Sequence, residues 1–169
     1  MPTDISLPNA EELCQRLANA MRPDVSPETI LIGIHTGGVW VTDWLQREFR
    51  FATPPGSIDI GFHRDDHRLG ASLKGGGRST HLPFDIDGAH VVIVDDVLNT
   101  GRTIRAALNE LFDYGRPARV DLAVLVDRGG RELPIAATWC PQTLTLPSSQ
   151  ILALERSEDG ALSFKVIEK

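Results

Sequence analysis

The fold is decided by Val91-Val92-Ile93-Val94-Asp95-Asp96-Val97-Leu98-Asn99-Thr100-Gly101-Arg102-Thr103, a run of branched apolar residues that leads into two carboxylates and a small polar turn. Four consecutive branched apolar residues are typical of a strand buried on both faces of a parallel sheet, where the alternation of apolar and polar side chains disappears. The two aspartates then stand at the carboxyl end of that strand, which is the edge where open α/β sheets bind ligands. The stretch therefore predicts an α/β fold with a binding site at this edge.

The residue types that follow the predicted strand are suited to a ribose phosphate. Asp95 and Asp96 can accept hydrogen bonds from two vicinal hydroxyls and can lie near a magnesium-bound diphosphate. Gly101 lets the backbone approach an anion closely, Thr100 and Thr103 add hydroxyl donors, and the start of the next helix favours negative charge. The alternative is an ordinary helix cap at Thr100 beside two solvated carboxylates. The combination of paired acids with this turn favours a phosphoribosyl site.

Strands and helices alternate along the rest of the chain. Helices are predicted after the capping residue Asn9, over residues 39–49, and from residue 102 onward with Ile104, Ala107, Leu108, Leu111 and Phe112 on one face. Strands are predicted at residues 30–34, 57–63, 90–94, 120–126 and 143–146, followed by a hairpin over residues 151–166 that turns at Asp159-Gly160. With right-handed crossovers, this order predicts a central parallel sheet flanked by helices, with a small hood made by the terminal segments.

Composition limits the class of protein. A chain of 169 residues with 41% hydrophobic content is expected to form a single domain over residues 1–169. We expect a soluble cytoplasmic protein, because there is neither a signal-peptide pattern nor an apolar stretch long enough to cross a bilayer. Cys14 and Cys140 have neither metal-ligand spacing nor a disulfide framework, so both are expected to be reduced. Trp40 and Trp44 are expected in the core or a subunit contact rather than in a base-stacking platform.

Residues 94–103 resemble the phosphoribosyl diphosphate (PRPP) signature of type I phosphoribosyltransferases. A narrower resemblance, to the PyrR family of pyrimidine operon regulators, is carried by residues 32–36, 64–66, 84–88, 102–108, 114–117 and 126–134. PyrR proteins also act as uracil phosphoribosyltransferases, so the resemblance implies that uracil and PRPP, with Mg²⁺, give UMP and diphosphate. It also implies a homo-oligomer, either a dimer or a tetramer.

The resemblance assigns roles to particular residues. The ribose and 5′-phosphate of PRPP are expected at Asp95, Asp96, Val97, Leu98, Asn99, Thr100, Gly101, Arg102 and Thr103. The diphosphate is expected on the backbone of His35, Thr36, Gly37 and Gly38. The base is expected near Asp127, Arg128 and Leu152, and the predicted catalytic residues are Asp95, Asp96 and Arg64. Mg²⁺ is expected to reach the site through PRPP, near Asp95 and Asp96.

Two positions depart from the family pattern. Gly37 stands where the family usually has arginine, and the loss of a charge-assisted contact of about 1.5–3 kcal/mol predicts weaker activity. Asn99 stands where an aromatic residue is common. The alternative for residues 35–38 is an ordinary strand-to-helix turn. Near the base, Arg128 and Arg131 have the alternative of forming ion pairs with neighbouring acids, Asp127 and Glu132.

Residues 64–82 form a polar, glycine-rich segment between predicted strands. Phosphoribosyl transfer requires shielding from water and cations near the leaving diphosphate, which predicts a lid with Arg64, Lys74 and Arg78 as its candidate cations. The alternative is an open surface excursion, because a triple glycine and mixed charge are sufficient to keep a loop extended.

Two classes of function remain open at this stage. The first is the enzyme, and the second is a regulator that senses UMP or PRPP in the same pocket and binds the leader RNA of pyrimidine genes. A formal net charge of −6 gives no global attraction to RNA, so binding requires a local patch from arginines such as Arg16, Arg22, Arg116, Arg119 and Arg131. The two functions are compatible in one bifunctional protein. The alternatives to such a protein are a regulator without catalysis and a purine salvage phosphoribosyltransferase.

Overall fold

A five-stranded parallel sheet forms the centre of the computed structural model, which describes residues 5–61 and 80–169. In chain order its strands are β1 (Ile30–Ile34), β2 (Gly56–Ile58), β3 (His90–Leu98), β4 (Arg119–Asp127) and β5 (Gln142–Thr143). Across the sheet the order is β2-β1-β3-β4-β5, and every pairing is parallel. The predicted α/β class is confirmed. Arg64, Lys74 and Arg78 lie outside the described residues.

Three helices flank the sheet in the described part of the chain: α1 (Ala10–Met21), α2 (Gly37–Phe49) and α3 (Arg102–Phe112). A short 3₁₀ turn, Arg22–Asp24, follows α1. The predicted start of α1 is confirmed, because the side-chain oxygen of Asn9 accepts a hydrogen bond from the Glu12 amide at 3.0 Å. Among the described residues, none of the helices has the length and apolar character that crossing a bilayer requires.

Apolar side chains cover both faces of the sheet. Val92 and Val94 of β3 pack into the layer that contains α1 and α2, and Ile93 packs into the layer that contains α3. This division follows from the strand geometry, in which successive side chains point to opposite faces. The continuous apolar run of β3 is therefore the consequence of burial on both sides, as predicted. Trp40 and Trp44 pack against the first of these layers, also as predicted.

An antiparallel hairpin, β6 (Gln150–Arg156) and β7 (Leu162–Glu168), packs on the α1 side of the sheet. Its turn at Asp159-Gly160 is the predicted one. The Glu11 carboxylate of α1 accepts a hydrogen bond from the Leu162 amide at 2.9 Å and another from the Trp44 indole at 3.0 Å. One side chain therefore ties the hairpin to both helices. The hairpin forms the C-terminal part of the predicted hood.

Three predictions about the elements were wrong. β3 does not end at Val94 but continues through both aspartates to Leu98, because β4 pairs with it as far as Asp127. β2 covers Gly56–Ile58 and does not continue over residues 59–61 as predicted, since it lies at the sheet edge and pairs only with the end of β1; residues 62 and 63 of the predicted strand lie outside the described residues. β5 covers two residues rather than 143–146.

Phe112 does not belong to the buried face of α3. It is 54% exposed at the last position of the helix, whereas Leu111 beside it is fully buried, so the buried face of α3 ends at Leu111. The buried positions of α3 are Ile104, Ala106, Ala107 and Leu111.

A buried carboxylate joins β3 to β4 near the amino-terminal ends of these strands, away from the predicted site. Asp121 is 8% exposed and contacts His90 Nε2 at 2.7 Å, Thr138 Oγ1 at 3.0 Å and Arg119 Nε at 2.8 Å. Burial by itself raises the pKa of Asp121, but these hydrogen bonds and the Arg119 charge outweigh it and leave the pKa below its ordinary value. The ionised form of Asp121 therefore stabilises the folded protein.

We expect Asp121→Asn to lower the free energy of unfolding by about 1.5–3 kcal/mol at pH 7, because hydrogen bonds to a charged partner are lost. A depressed carboxyl pKa contributes stability above the unfolded-state pKa of about 3.9, and the contribution disappears as pH falls through the folded-state pKa. Urea denaturation from pH 7 to pH 3 should therefore show the two proteins converging below about pH 4. Asp113→Asn, at an exposed position after α3, is the control. A constant difference at every pH would contradict this account.

Candidate active site

A cavity of about 560 Å³ opens between the end of β3, the start of α3 and the hairpin. Every residue that the sequence predicted for ribose and phosphate lines it: Asp95, Asp96, Val97, Leu98, Asn99, Thr100, Gly101, Arg102 and Thr103. Arg128 and Leu152, two of the residues predicted for the base, line its other side. The structure therefore brings the two predicted groups together around one space.

The two aspartates are held by the backbone of β3 itself. Asp95 is 5% exposed, and its Oδ1 accepts a hydrogen bond from the Asp96 amide at 2.9 Å. Asp96 Oδ1 accepts one from the Val97 amide at 2.8 Å. These contacts fix both carboxylates at the edge of the cavity, where they can accept hydrogen bonds from ligand hydroxyls.

Two adjacent carboxylates are also a donor set that suits Mg²⁺ carried on a diphosphate. Mg²⁺ is usually bound through one or two protein carboxylates, with phosphate oxygens and water completing its shell. Within residues 5–61 and 80–169, no cluster of three or more acidic, histidine or cysteine side chains is placed to hold a metal ion.

Residues 98–103, which we call the phosphate loop, turn the chain from β3 into α3. Gly101 is the N-cap of α3 and has a φ of 92°, a conformation that glycine adopts without steric cost. Thr100 Oγ1 accepts a hydrogen bond from the Arg102 amide at 3.1 Å. The first amides of a helix have no carbonyl partner within the helix, and here they border the cavity. The loop has the geometry of an anion site at a helix start.

The predicted diphosphate loop follows β1, the neighbour of β3. The His35 amide donates to the Ile58 carbonyl at 3.0 Å, the His35–Thr36 peptide is cis, and α2 begins at Gly37. A Cβ added at Gly37 would collide with the carboxylate of Asp96, and one added at Gly38 would collide with the backbone carbonyl of Val94. The absence of a side chain at Gly37 therefore lets the loop lie this close to the Asp96 carboxylate.

Asp127 is placed differently from the other residues predicted for the base. Its carboxylate forms an ion pair with Arg131 and accepts a hydrogen bond from the Gly129 amide at 2.9 Å. The Arg131 guanidinium holds the pKa of Asp127 below its ordinary value. Ion pairing is thus what the structure shows for Asp127, whereas Glu132 pairs with Arg102 of the phosphate loop at 2.6 Å.

Several residues of the cavity wall were not predicted: Glu132, Ile151, Ala153, Leu154 and Lys169. The predicted hairpin contained a signal for three of them, since neighbours of Leu152 on one strand lie beside the same space. Lys169 reaches the cavity because its amide donates to the Ser149 carbonyl at 2.8 Å at the open end of the hairpin. No local pattern indicates that contact.

We expect Gly38→Ala to destabilise the protein by about 1–3 kcal/mol, because its methyl group meets the fixed backbone of β3. Gly37→Ala is expected to cost less, about 1 kcal/mol, since its methyl group displaces only the Asp96 side chain and the hydrogen bond from the Val97 amide. Urea denaturation of both variants measures the difference. Equal midpoints for the two variants would show that the close approach of α2 to β3 is not a packing constraint.

Comparisons with known proteins agree with this geometry. The model of the phosphoribosyl transferase domain matches residues 6–144. The bifunctional protein PyrR of Pseudomonas aeruginosa (strain LESB58) is 47% identical over 167 residues, covering 96% of this chain and 98% of the relative. The bifunctional protein PyrR of Pseudomonas putida (strain GB-1) is 45% identical over 171 residues, covering 94% of this chain and 99% of the relative.

Solved structures share the fold. A hypoxanthine phosphoribosyltransferase from Staphylococcus aureus superposes with a TM-score of 0.63 at 15% identity, covering 87% of this chain and 80% of the other. A hypoxanthine phosphoribosyltransferase from Trypanosoma cruzi superposes with a TM-score of 0.61 at 23% identity, covering 84% and 79%. At these identities the likeness shows the fold alone. The near full-length sequence similarity goes further, and the chain belongs to the PyrR family of proteins with a phosphoribosyl transferase domain.

Proposed function

We propose that this PyrR-family chain converts uracil and PRPP into UMP and diphosphate in the cavity at the end of β3. One observation carries the proposal: a single cavity joins the two aspartates and the phosphate loop to Arg128 and Leu152 beneath the hairpin. Its volume of about 560 Å³ is within the usual range of small-molecule sites, about 300–1,000 Å³. The cytoplasmic location predicted from the sequence belongs to the same proposal.

The substrate lies across the cavity in a defined order. The phosphate loop and the first amides of α3 hold the 5′-phosphate, while Asp95 and Asp96 accept the ribose hydroxyls. The diphosphate extends toward the backbone of residues 35–38, which Gly37 brings beside Asp96. The base lies between Arg128 and Leu152, on the hairpin side. This order matches the order of the chemical groups in the substrate, from the 5′-phosphate through the ribose to the diphosphate and the base at C1.

At C1 of the ribose the reaction forms one bond and breaks one. A ring nitrogen of uracil attacks C1, the bond from C1 to the diphosphate oxygen breaks, and the proton that the nitrogen loses is taken up by the released diphosphate. The two carboxylates stabilise positive charge that develops on the ribose, and the chain otherwise contributes orientation. Mg²⁺ bound to PRPP supplies charge neutralisation for the leaving diphosphate. Arg64 and the lid remain proposed contributors, and residues 64–79 of the predicted lid lie outside the described residues.

Regulation through the same pocket is the second part of the proposal, because the relatives are named bifunctional. UMP and PRPP share the 5′-phosphate and ribose, so the phosphate loop is able to hold either. The proposed partner is the leader RNA of pyrimidine genes. The proposed assembly is a dimer or tetramer, and the exposed Phe112 and Tyr114 are apolar surface available for such contacts.

Four of the five arginines considered for RNA binding form side-chain contacts within the chain. Arg22 pairs with Glu48 at 2.7 Å, Arg119 pairs with Asp121 and Arg131 pairs with Asp127. Arg16 donates to the Pro141 carbonyl at 2.6 Å. The three ion pairs offset part of the positive charge that a basic patch would need. RNA binding by this chain therefore relies on few cations.

We expect UMP to form from uracil, PRPP and Mg²⁺, and the Asp95→Asn, Asp96→Asn double variant to lower the rate by about 100-fold or more, because the charge that stabilises the transition state is removed. Product formation is measured by separating labelled UMP from uracil. Asp113→Asn is the control for the loss of surface charge.

A panel of bases distinguishes the alternatives. Turnover of hypoxanthine or orotate in place of uracil would assign a different base specificity to the same cavity. Binding of UMP by a folded protein that turns over none of the bases would leave a nucleotide-sensing regulator without catalysis.

For the regulatory part, we expect leader RNA to bind with a shallow salt dependence, a log–log slope of about −1 to −2, because each phosphate contact to single-stranded RNA contributes about −0.7. Filter binding from 50 to 300 mM salt, with and without UMP, measures the slope and the effect of the nucleotide. A slope steeper than about −4 would show that the paired arginines are released to the RNA. Absence of binding at low salt would remove RNA from the proposal.

A further inference from the structure

The phosphate loop is supported from behind by residues 128–135, which we call the support segment. Three consecutive carbonyl oxygens of the loop accept hydrogen bonds from it. The Leu98 carbonyl accepts from the Arg128 amide at 3.0 Å, and the Thr100 carbonyl accepts from the amides of Glu132 and Leu133 at 2.9 and 3.2 Å. The carbonyl between them, that of Asn99, accepts from the Arg131 side chain at 2.7 Å.

The support segment reaches this position by turning back on itself after β4. Gly129 and Gly130 have φ values of 73° and 75°. Residues with a side chain rarely adopt such values, and here they allow the chain to reverse beneath the loop. Farther along, the Ile135 side chain packs behind Gly101 so closely that a Cβ at Gly101 would lie 3.0 Å from it. The segment therefore contacts the loop along its whole length.

Arg131 is the centre of this support. Its Nε donates to the Ile135 carbonyl at 2.8 Å, one terminal nitrogen donates to the Asn99 carbonyl, and the other pairs with the Asp127 carboxylate. The guanidinium thus joins the end of β4, the phosphate loop and the far end of the support segment. Its side chain is 26% exposed, and it is absent from the cavity wall. The fixed planar fork of arginine is suited to three acceptors held in this way.

Arg128 extends in the opposite direction from the same end of β4. Its guanidinium donates to the Gln150 carbonyl at 2.8 Å and to the Pro147 carbonyl at 3.3 Å, at the start of the hairpin. Two arginines three positions apart therefore stabilise two different walls of the cavity. One holds the phosphate loop and the other holds the strand that contains Leu152.

We infer that Arg131 is a positioning residue for the 5′-phosphate end of the substrate, acting through the Asn99 carbonyl, whereas Arg128 positions the hairpin over the base. The inference rests on the proposed function for its kinetic consequence. Its structural consequence, an ordered phosphate loop, is independent of the reaction. A loop that is held in its binding geometry before the ligand arrives binds an anion without an ordering cost.

Steady-state kinetics of Arg131→Gln and Arg128→Gln test whether the two arginines position different ends of the substrate. We expect Arg131→Gln to raise KM for PRPP by about 10- to 100-fold and to change KM for uracil by less than about threefold, since displacement of positioning groups has effects of this size. Arg128→Gln is expected to show the reverse pattern. Arg47→Gln, at an exposed position of α2, controls for lost positive charge. An equal rise in both constants for Arg131→Gln, or no rise, would overturn the inference.

Hydrogen exchange separates this inference from the proposed reaction. Arg131→Gln should accelerate amide exchange in peptides covering residues 98–104 and leave residues 150–156 unchanged, and Arg128→Gln should do the opposite. If wild-type protein makes no UMP, the proposed function fails while exchange still decides the role of Arg131. Unchanged exchange in the loop would overturn that role whatever the activity.

A conservative variant covers the case in which Arg131→Gln does not fold. Arg131→Lys keeps the charge opposite Asp127 but lacks the fork that reaches three acceptors. We expect an intermediate rise in KM for PRPP and intermediate exchange in the phosphate loop. Wild-type values for both measurements would show that charge alone is sufficient and would overturn the inference.

Discussion

The parallel pairing of β3 with both of its neighbours is the constraint on which the rest of the structure depends. β3 pairs with β1 as far as Val94 and with β4 as far as Leu98. The first register places the loop after β1 beside the two aspartates, and the second places the support segment behind the phosphate loop. A shift of register would separate these groups, since each follows a strand end. The site is therefore a consequence of how three strands align.

Two parts of the site, the phosphate loop and the hairpin, are held by flanking segments rather than by the hydrogen bonds of the central sheet. The phosphate loop begins at Leu98, the last paired residue of β3, and the carbonyls of Leu98, Asn99 and Thr100 accept hydrogen bonds from the support segment. The hairpin likewise lies outside the sheet and is fixed by Glu11 at one end and by Arg128 at the other. Buried backbone groups require partners, so each loop of the site is matched by a segment that supplies them. This arrangement holds the phosphate loop and the hairpin in place on the two sides of the cavity.

Local signals in the sequence predicted much of this correctly. The cap at Asn9, the turn at Asp159-Gly160 and the buried run of β3 are confirmed, because each depends on a few neighbouring residues. The errors occurred where an element ends by contact with another. β3 continues past Val94 because β4 remains alongside it, and Phe112 is exposed because the buried face of α3 ends at Leu111. Neither circumstance is encoded within the segment itself.

The sequence by itself determined the α/β class, the order of its elements and the phosphate loop, because apolar periodicity, helix caps and glycine-rich turns act over a few residues. It also indicated the family through short motifs. Only the tertiary structure decided that Gly37 fits against Asp96, that Asp127 pairs with Arg131, and that Lys169 reaches the cavity. These contacts join segments that are distant in the chain or reversed by glycine turns. Their geometry exists only once the strands have aligned, which is why no local pattern contains it.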